Sequence, residues 1–189
     1  MTALVGPNAV LQLADVLRER TPASTMRAVF AAAGLARYLE RPPQSMIDEA
    51  EAAALHQALL RALPHAGPTL CAEAGTRTAD YLLANRIPAF AQTLLRWLPA
   101  GIAARLLVRA IARHAWTFSG SGAFSAHFPG GQRMVLEIAH NPLALPGCPW
   151  HCAVFTRLFT HLVSSHVRVT HGDCCADGAE ACRFEISWG

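Results

Sequence analysis

The chain has 189 residues, of which 52% are hydrophobic and 15% charged, and its formal net charge is +3. This length predicts one domain with a substantial core, and so small a charge argues against a nucleic-acid-binding protein. All sixteen basic residues are arginine, which excludes the Schiff-base lysine of pyridoxal phosphate enzymes and the lysine of a phosphate-binding loop. The low charged fraction predicts that some apolar surface meets a partner or ligand.

The start of the chain carries no basic, apolar leader, so we expect a cytoplasmic protein, with contact to a membrane surface left open. The longest apolar stretch, residues 98–112, is interrupted by Arg105 and Arg109. It is also shorter than the ~20 residues that cross a bilayer, so no transmembrane helix is expected. Cytosolic thiols stay reduced, which favours metal-binding or buried cysteines over disulfides.

Residues 7–115 have the apolar spacing of helices. Asn8 is predicted to cap the first helix, and Ser45 to open a later one ahead of Asp48 and Glu49. Prolines and glycines delimit the rest. Further helices are predicted over residues 69–84, 88–98 and 99–114.

From Trp116 the pattern changes to strands. Residues 116–128 alternate aromatic and small side chains, Pro129-Gly130-Gly131 is a turn, and residues 133–139 are apolar and β-branched, which together predict a hairpin. The remaining elements are a helix over residues 150–163 and strands over residues 166–170 and 181–188. The fold class is therefore predicted as α+β, a helical layer packed on an antiparallel sheet.

Five of the six cysteines fall after residue 147, at spacings typical of a metal site. Thiolate and imidazole are the ligands that zinc prefers, and it takes four in a tetrahedron. We predict a structural zinc site formed by Cys148, His171, Cys174 and Cys182. Cys152 and Cys175 are alternative ligands. A group of small buried thiols without metal is the other interpretation, and an iron–sulfur cluster is disfavoured because the spacing is unusual for one.

The terminal pattern also resembles a known family. A cysteine before a helix, followed by C-x-x-x-G-x-x-x-C-R-F, resembles the vinyl-4 reductase domain of the bacteriochlorophyll 4-vinyl reductase family. Residues 75–88 and 114–124 resemble its photosynthetic branch, and the likeness covers the chain from about Gly67 onward. The resemblance implies a core over residues 67–189 preceded by a helical extension over residues 1–66.

The resemblance further implies a fold like that of TRAPP vesicle-tethering subunits, a homodimer and a small hydrophobic ligand. Sensor proteins of this family hold zinc with three cysteines and a glutamate, and His171 stands where that glutamate would be. The implied pathway is bacteriochlorophyll synthesis, in which the 8-vinyl group of a divinyl chlorophyllide precursor is reduced to ethyl.

Reduction of a vinyl group needs an electron donor, usually bound as nicotinamide, flavin or iron–sulfur cluster. The sequence shows no motif for one. Gly120-Ser121-Gly122 is a G-x-G without the third glycine and following helix of a dinucleotide fold, so it is predicted to be a bulge or a close backbone approach.

A flat pigment needs an apolar wall and groups for its carboxylates and central magnesium. For each candidate the alternative is an ordinary core side chain, a solvated arginine face or a satisfied histidine. Cys71 is predicted to be core. The predicted pigment-binding residues are Arg105, Arg109, Arg113, His114, Trp116, Phe118, Phe124 and His140, with Phe128 continuing the aromatic alternation.

Two functions follow. The first is a carrier or accessory protein that binds a divinyl chlorophyllide-type pigment and presents it to a pathway enzyme. The second is the divinyl protochlorophyllide 8-vinyl reductase itself, supplied by an external donor. An aromatic-ligand sensor is disfavoured because no DNA-binding or ATPase segment is attached.

Overall fold

The N-terminal part of the chain is a layer of helices, and prolines and glycines separate these helices from one another. The computed structural model describes residues 3–189, and within them are nine helices and two antiparallel sheets. The helices are α1 (Asn8–Arg20), α2 (Ala23–Ala32), α3 (Arg37–Glu40), α4 (Glu49–Ala62), α5 (Gly67–Asn85), α6 (Ala89–Trp97), α7 (Ala100–Arg113), α8 (Trp116–Ser119) and α9 (Pro149–Leu162). The strands are β1 (Leu4–Val5), β2 (Ile47–Asp48), β3 (Ala123–His127), β4 (Arg133–Ala139), β5 (Arg168–His171) and β6 (Ala181–Ser187).

The predicted helices are present, with two different starts. The α4 helix begins at Glu49, because the Asp48 carboxylate accepts a hydrogen bond from the Ala50 amide at 2.8 Å, whereas Ser45 opens nothing. Asn8 is the first residue of α1 and not its cap, a position that Pro7 occupies without a side-chain bond. The capping residues were therefore wrong, although the elements are as predicted.

The main sheet has the order β3-β4-β6-β5 and is antiparallel throughout. On the two central strands its inner face is fully buried, and α9 packs close to it through Phe155. The buried residues of the two central strands are Met134, Leu136, Ile138, Cys182, Phe184 and Ile186. The α+β class, the antiparallel sheet and the alternation along β6 are thus confirmed.

The strand predicted from residue 116 begins only at Ala123. Residues Trp116–Ser119 instead form the short helix α8, whose Ser119 hydroxyl donates to the Ala115 carbonyl at 2.9 Å. Gly120 then takes a positive φ of 54°, which ends the helix and turns the chain into β3. The prediction was wrong here because four alternating residues fit one helical turn as well as a strand.

Helix α5 of the helical layer packs against α9, the helix that covers the inner face of the sheet. A Cβ at Gly75 on α5 would lie 2.3 Å from the carbonyl oxygen of Trp150 on α9, so only glycine permits this approach. Cys71, also on α5, is fully buried, as predicted. One set of buried side chains extends from Val5 to Trp188. The division into an extension and a core stays a prediction.

Among residues 3–189, no helix combines the length and the apolar character needed to cross a lipid bilayer.

Candidate metal centre

Four side chains from the C-terminal part of the chain converge on one point beside the sheet. Their potential ligand atoms all lie within 4.8 Å of one another. The four are Cys148 at the start of α9, His171 at the end of β5, Cys174 in the following loop, and Cys182 in β6. The structure therefore brings together the whole set predicted from the spacing.

The sulfur atoms form a nearly regular triangle. Cys148 Sγ lies 3.5 Å from Cys182 Sγ and 3.7 Å from Cys174 Sγ, and the third edge is 3.9 Å. A zinc ion with Zn–S bonds of about 2.3 Å needs tetrahedral edges of about 3.8 Å. The three cysteines are free thiols, since a disulfide would bring two sulfurs to about 2.05 Å. Their spacing fits a tetrahedral ion.

A left-handed turn directs Cys148 toward the sheet. Its φ is 41°, an unusual value for a residue with a side chain, and it follows Gly147 with φ 73°. Its amide donates to the Leu145 carbonyl at 2.7 Å, which closes the turn. Non-glycine residues keep such backbone angles only where the surroundings fix them. The start of α9 is therefore held in a set geometry.

The loop between β5 and β6 brings Cys174 back to Cys182. The Gly172 amide donates to the Arg183 carbonyl at 2.9 Å, and the Arg183 amide donates to the Asp173 carbonyl at the same distance. A short 3-10 turn over Cys175–Asp177 then reverses the chain. The hairpin pairing thus continues into the loop and fixes the separation of the two sulfurs.

Hydrogen bonds favour a thiolate at Cys182. Its sulfur accepts from the Cys148 thiol, from the Cys175 amide at 3.4 Å and from Asn141 Nδ2 at 3.4 Å. The bond from Cys148 is the main cause that lowers the pKa of Cys182 to about 5, against the opposing effect of burial. The same bond raises the pKa of Cys148. A thiolate of this kind attracts a soft cation.

His171 fits the remaining position of the tetrahedron. Its Nε2 is buried and makes no hydrogen bond, and its ring centroid lies 5.2 Å from that of Phe184. A buried ring nitrogen without a partner costs free energy, and coordination of a metal would satisfy it. The alternatives Cys152 and Cys175 lie outside the cluster, with their sulfurs directed to the carbonyls of Gly147 at 3.5 Å and Ile138 at 3.9 Å.

Curated relatives decide the family. No protein-family model matches the chain. A protein of Cereibacter sphaeroides named bacteriochlorophyll synthase 23 kDa chain is 46% identical over 188 residues, which cover 96% of this chain and 89% of that protein. A protein of Rhodobacter capsulatus with the same name is 39% identical over 96% of this chain and 86% of its own length. The chain belongs to the bacteriochlorophyll synthase 23 kDa chain family. The resemblance drawn from the sequence motifs is confirmed.

Solved structures show the fold of this 23 kDa chain family member. An H-NOX protein from K. algicida superposes with a TM-score of 0.68 at 11% identity, covering 97% of this chain and 96% of that one. An H-NOX protein from S. oneidensis gives 0.57 over 97% and 98%. Another structure, which superposes with a TM-score of 0.56, is described as probing the function of heme distortion in the H-NOX family. At this identity the likeness concerns the fold alone.

The predicted pigment-binding arginines of this 23 kDa chain family member share the exposed face of α7. Arg105, Arg109 and Arg113 are all exposed, and the Arg105 guanidinium stacks 5.0 Å from the ring centroid of Phe128. His114 and His140 are exposed as well, one after α7 and the other after β4. Neither histidine lies in an enclosed site.

The predicted aromatic wall is divided between two elements. Trp116 is 54% exposed on α8, whereas Phe118 turns toward the core and meets Phe124 edge to face, with ring centroids 5.6 Å apart. Phe118 continues inward to Phe155 at 6.1 Å. A continuous flat wall along one strand was therefore a wrong expectation, because α8 interrupts the alternation.

A buried histidine that carries no motif was missed. His151 is 1% exposed, and neither of its ring nitrogens makes a hydrogen bond; the same holds for Nε1 of the neighbouring Trp150. Burial lowers the pKa of His151 to about 3, so the ring is neutral. Its neighbours are aromatic, with Trp150 at 4.9 Å and Phe184 at 5.9 Å between ring centroids. Asn141, which donates to Cys182, was missed for the same reason: a single polar residue gives no pattern.

The outer face of the sheet carries a groove of about 430 Å³. Charged side chains line it, among them Glu137, Asp173 and Arg183, which are joined by salt bridges. None of the predicted pigment-binding residues lines this groove.

Proposed function

We propose that this protein serves bacteriochlorophyll biosynthesis by binding a divinyl chlorophyllide-type tetrapyrrole and supporting reduction of its 8-vinyl group, as a carrier or accessory protein. The observation that carries the proposal is the identity of 46% over 96% of the chain to a bacteriochlorophyll synthase 23 kDa chain. The H-NOX fold, in which related structures are described in terms of heme, supports a tetrapyrrole ligand.

A structural zinc ion belongs to the proposal. Cys148, His171, Cys174 and Cys182 would hold it, and the sulfur triangle together with the unpartnered nitrogen of His171 supports that assignment. With four protein ligands the ion has no open position for a substrate, which is typical of structural sites. It would tie the start of α9 to the β5–β6 hairpin and contribute folding free energy.

The G-x-G segment supports a carrier over a nucleotide-dependent reductase. The backbone amide of Ser121 donates to a Glu49 carboxylate oxygen at 2.6 Å, and its hydroxyl donates to the other oxygen at 2.8 Å. Gly122 packs against the Ala139 carbonyl, where a Cβ would approach to 2.8 Å. A loop whose amide already binds a carboxylate is not available to cradle a phosphate.

The exposed face of α7 and the neighbouring aromatic residues are the proposed pigment contacts. Guanidinium groups pair with carboxylates, so the three arginines would receive the macrocycle's carboxylate. Trp116 and Phe124 would contact its ring, and a histidine, His114 or His140, would approach the central magnesium. A homodimer, a TRAPP-like architecture and contact with pathway enzymes complete the proposal and rest on the sequence resemblance.

The test is to purify the protein, measure its zinc and iron, and titrate it with divinyl protochlorophyllide in the presence and absence of NADPH. The expected result is equimolar zinc, a shifted pigment absorption band and no oxidation of NADPH. Consumption of the donor with conversion of vinyl to ethyl would instead identify the protein as the reductase, and the absence of any band shift would contradict pigment binding.

A pair of double variants tests the arginine contacts. Arg109→Gln with Arg113→Gln is expected to weaken pigment binding about tenfold or more, because charge-assisted hydrogen bonds are lost. Arg27→Gln with Arg61→Gln changes the net charge equally at exposed helix positions elsewhere and serves as the matched control. Equal affinities for the two double variants would contradict the assignment.

A further inference from the structure

A long internal segment of the chain carries positive charge and no negative charge. Residues 81–136 contain six arginines and neither aspartate nor glutamate. All six are exposed: Arg86, Arg96, Arg105, Arg109, Arg113 and Arg133. None of these six forms a salt bridge within residues 3–189, whereas arginines elsewhere, such as Arg20, Arg77 and Arg183, pair with carboxylates. The segment therefore presents uncompensated cations to its surroundings.

The α6 helix adds an exposed apolar stripe to this segment. Phe90, Leu94 and Trp97 occur at i, i+4 and i+7, which places them on one side of the helix. Their exposed fractions are 76%, 56% and 85%. Of the residues of α6, Leu95 is the one that is buried in the core. Large apolar side chains exposed in a continuous stripe mark an interaction surface.

The α7 helix continues the pattern after Pro99. Ala103, Ala104, Leu107 and Val108 are its buried residues. Ile102 and Leu106, one turn apart on the opposite side, are exposed, and they share that side with Arg109. The two helices are joined by only Leu98 and Pro99. We call the exposed faces of α6 and α7 together the α6–α7 face.

Charge decides which partner this face fits. Exposed Trp, Phe and Leu beside arginines, with no acidic residue, are typical of helices that lie in the headgroup region of an anionic membrane. Tryptophan favours that interface, and arginine extends its charged group to the phosphates while its stem covers apolar surface. In a two-fold dimer built on this face, a second copy would set the same cations against each other, which opposes self-association there.

We propose that the α6–α7 face docks this protein on the surface of an anionic lipid bilayer. Phe90, Leu94 and Trp97 would insert among the headgroups, and the exposed arginines of α6 and α7 would pair with lipid phosphates. The docking goes beyond the proposed function and does not depend on it. It would place a protein of this family at the surface of a membrane.

The test is co-sedimentation of the full chain, without pigment, with vesicles of phosphatidylcholine alone and with vesicles containing an equal share of phosphatidylglycerol. Binding is expected only to the anionic vesicles and is expected to fall as salt is raised. Leu94→Gln with Trp97→Gln should reduce the partition coefficient about tenfold or more, since both side chains are exposed and contribute apolar area only when inserted. Leu4→Gln changes an exposed leucine on another element and is the control.

A second pair of variants examines the charge. The double variant is Arg86→Gln with Arg96→Gln. Arg86 precedes α6 and Arg96 lies in its last turn, and both are outside the proposed pigment contacts. Each lost arginine should reduce partitioning roughly fivefold. Arg27→Gln with Arg61→Gln again controls for net charge. Failure to bind anionic vesicles, equal binding to both vesicle types, or equal losses in the control double variant would overturn the proposal. Conversion of a dimer to a monomer by the Leu94 and Trp97 changes, seen by sedimentation velocity without any vesicle effect, would also overturn it.

Because the assay contains no pigment, its failure leaves the tetrapyrrole proposal unaffected. The pigment titration in turn contains no vesicles, so its outcome leaves the docking proposal unaffected.

Discussion

The sulfur of Cys148 lies 3.5 Å from the sulfur of Cys182, although 34 positions separate the two residues. One begins α9, and the other lies in β6, an inner strand of the sheet. These two thiols therefore place β6 and the start of α9, the helix packed on the sheet, next to each other. An ion bound there would couple the two layers more directly than packing alone.

Replacement of Cys182 by serine should abolish stoichiometric zinc binding and lower the free energy of unfolding by more than about 3 kcal/mol, because loss of a structural metal is among the most destabilising changes. Zinc analysis and urea unfolding would measure this. Cys152→Ser is the matched control, since that sulfur lies outside the cluster and is directed to the Gly147 carbonyl at 3.5 Å. Similar losses of zinc in both variants would contradict the assigned ligand set.

Asn141 should tune the affinity of the site. Its Nδ2 donates to the Cys182 sulfur and its Oδ1 accepts from the Leu143 amide at 3.0 Å. Asn141→Asp keeps the acceptor and removes the donor. Zinc affinity should therefore fall by about 10- to 100-fold, as it does for other residues that support metal ligands. Competition with a chromophoric chelator would measure the change. An unaltered affinity would show that this hydrogen bond is dispensable.

The sequence predicted some features well because each depends on a repeated pattern. The alternation of Cys182, Phe184 and Ile186 needs only a sheet with one buried face, and the spacing of the three ligands His171, Cys174 and Cys182 needs only a hairpin. Position 116 had no such support, since Trp116 and Phe118 fit one helical turn or a strand equally well. Gly120 ends the helical turn with a positive φ, and the next residue, Ser121, bonds to Glu49, which is 72 residues away in the chain.

Single polar residues could not be predicted at all. His151 and Asn141 act through neighbours brought together by folding, and neither has a partner at a recognisable spacing in the chain. The β1–β2 pairing was also missed, because two residues per strand are too few to show alternation. Prediction therefore succeeded for periodic elements and failed where long-range contacts determine the structure.

The contact between α5 and α9 should tolerate no side chain at Gly75. Gly75→Ala would place a Cβ 2.3 Å from the Trp150 carbonyl, and the separation of two backbones should cost about 2 kcal/mol or more. Gly101→Ala, whose Cβ would meet only the Arg105 guanidinium at 3.7 Å, should raise stability by about 0.5 kcal/mol through helix propensity. Thermal unfolding of the two variants would distinguish the close contact from a general effect of glycine loss.

Acid should destabilise the protein through His151. Its pKa is lowered to about 3 in the folded state, and the unfolded value is about 6.5. Between these values the unfolded chain binds one more proton, so the free energy of unfolding falls as pH falls, by about 1.4 kcal/mol per pH unit from this group. Above pH 6.5 the group makes no such contribution.

The variant His151→Phe should remove this part of the pH dependence while keeping the aromatic surroundings. The difference between the unfolding free energies of wild type and variant, followed from pH 7 to pH 4, isolates the effect from other acid-sensitive groups. His166→Gln, at an exposed position, is the control. Parallel curves for wild type and His151→Phe would mean that the buried ring does not stay neutral.

Trp150 lies two residues beyond Cys148, and its indole is buried, with its ring centroid 6.2 Å from that of His56. Trp97 and Trp116, by contrast, face outward. Any shift of the α9 start must move this indole, so its fluorescence emission is a built-in optical reporter. Exposed tryptophans emit at longer wavelength and are accessible to collisional quenchers such as acrylamide. Fluorescence of one sample can therefore report on the interior and on the outer surface separately.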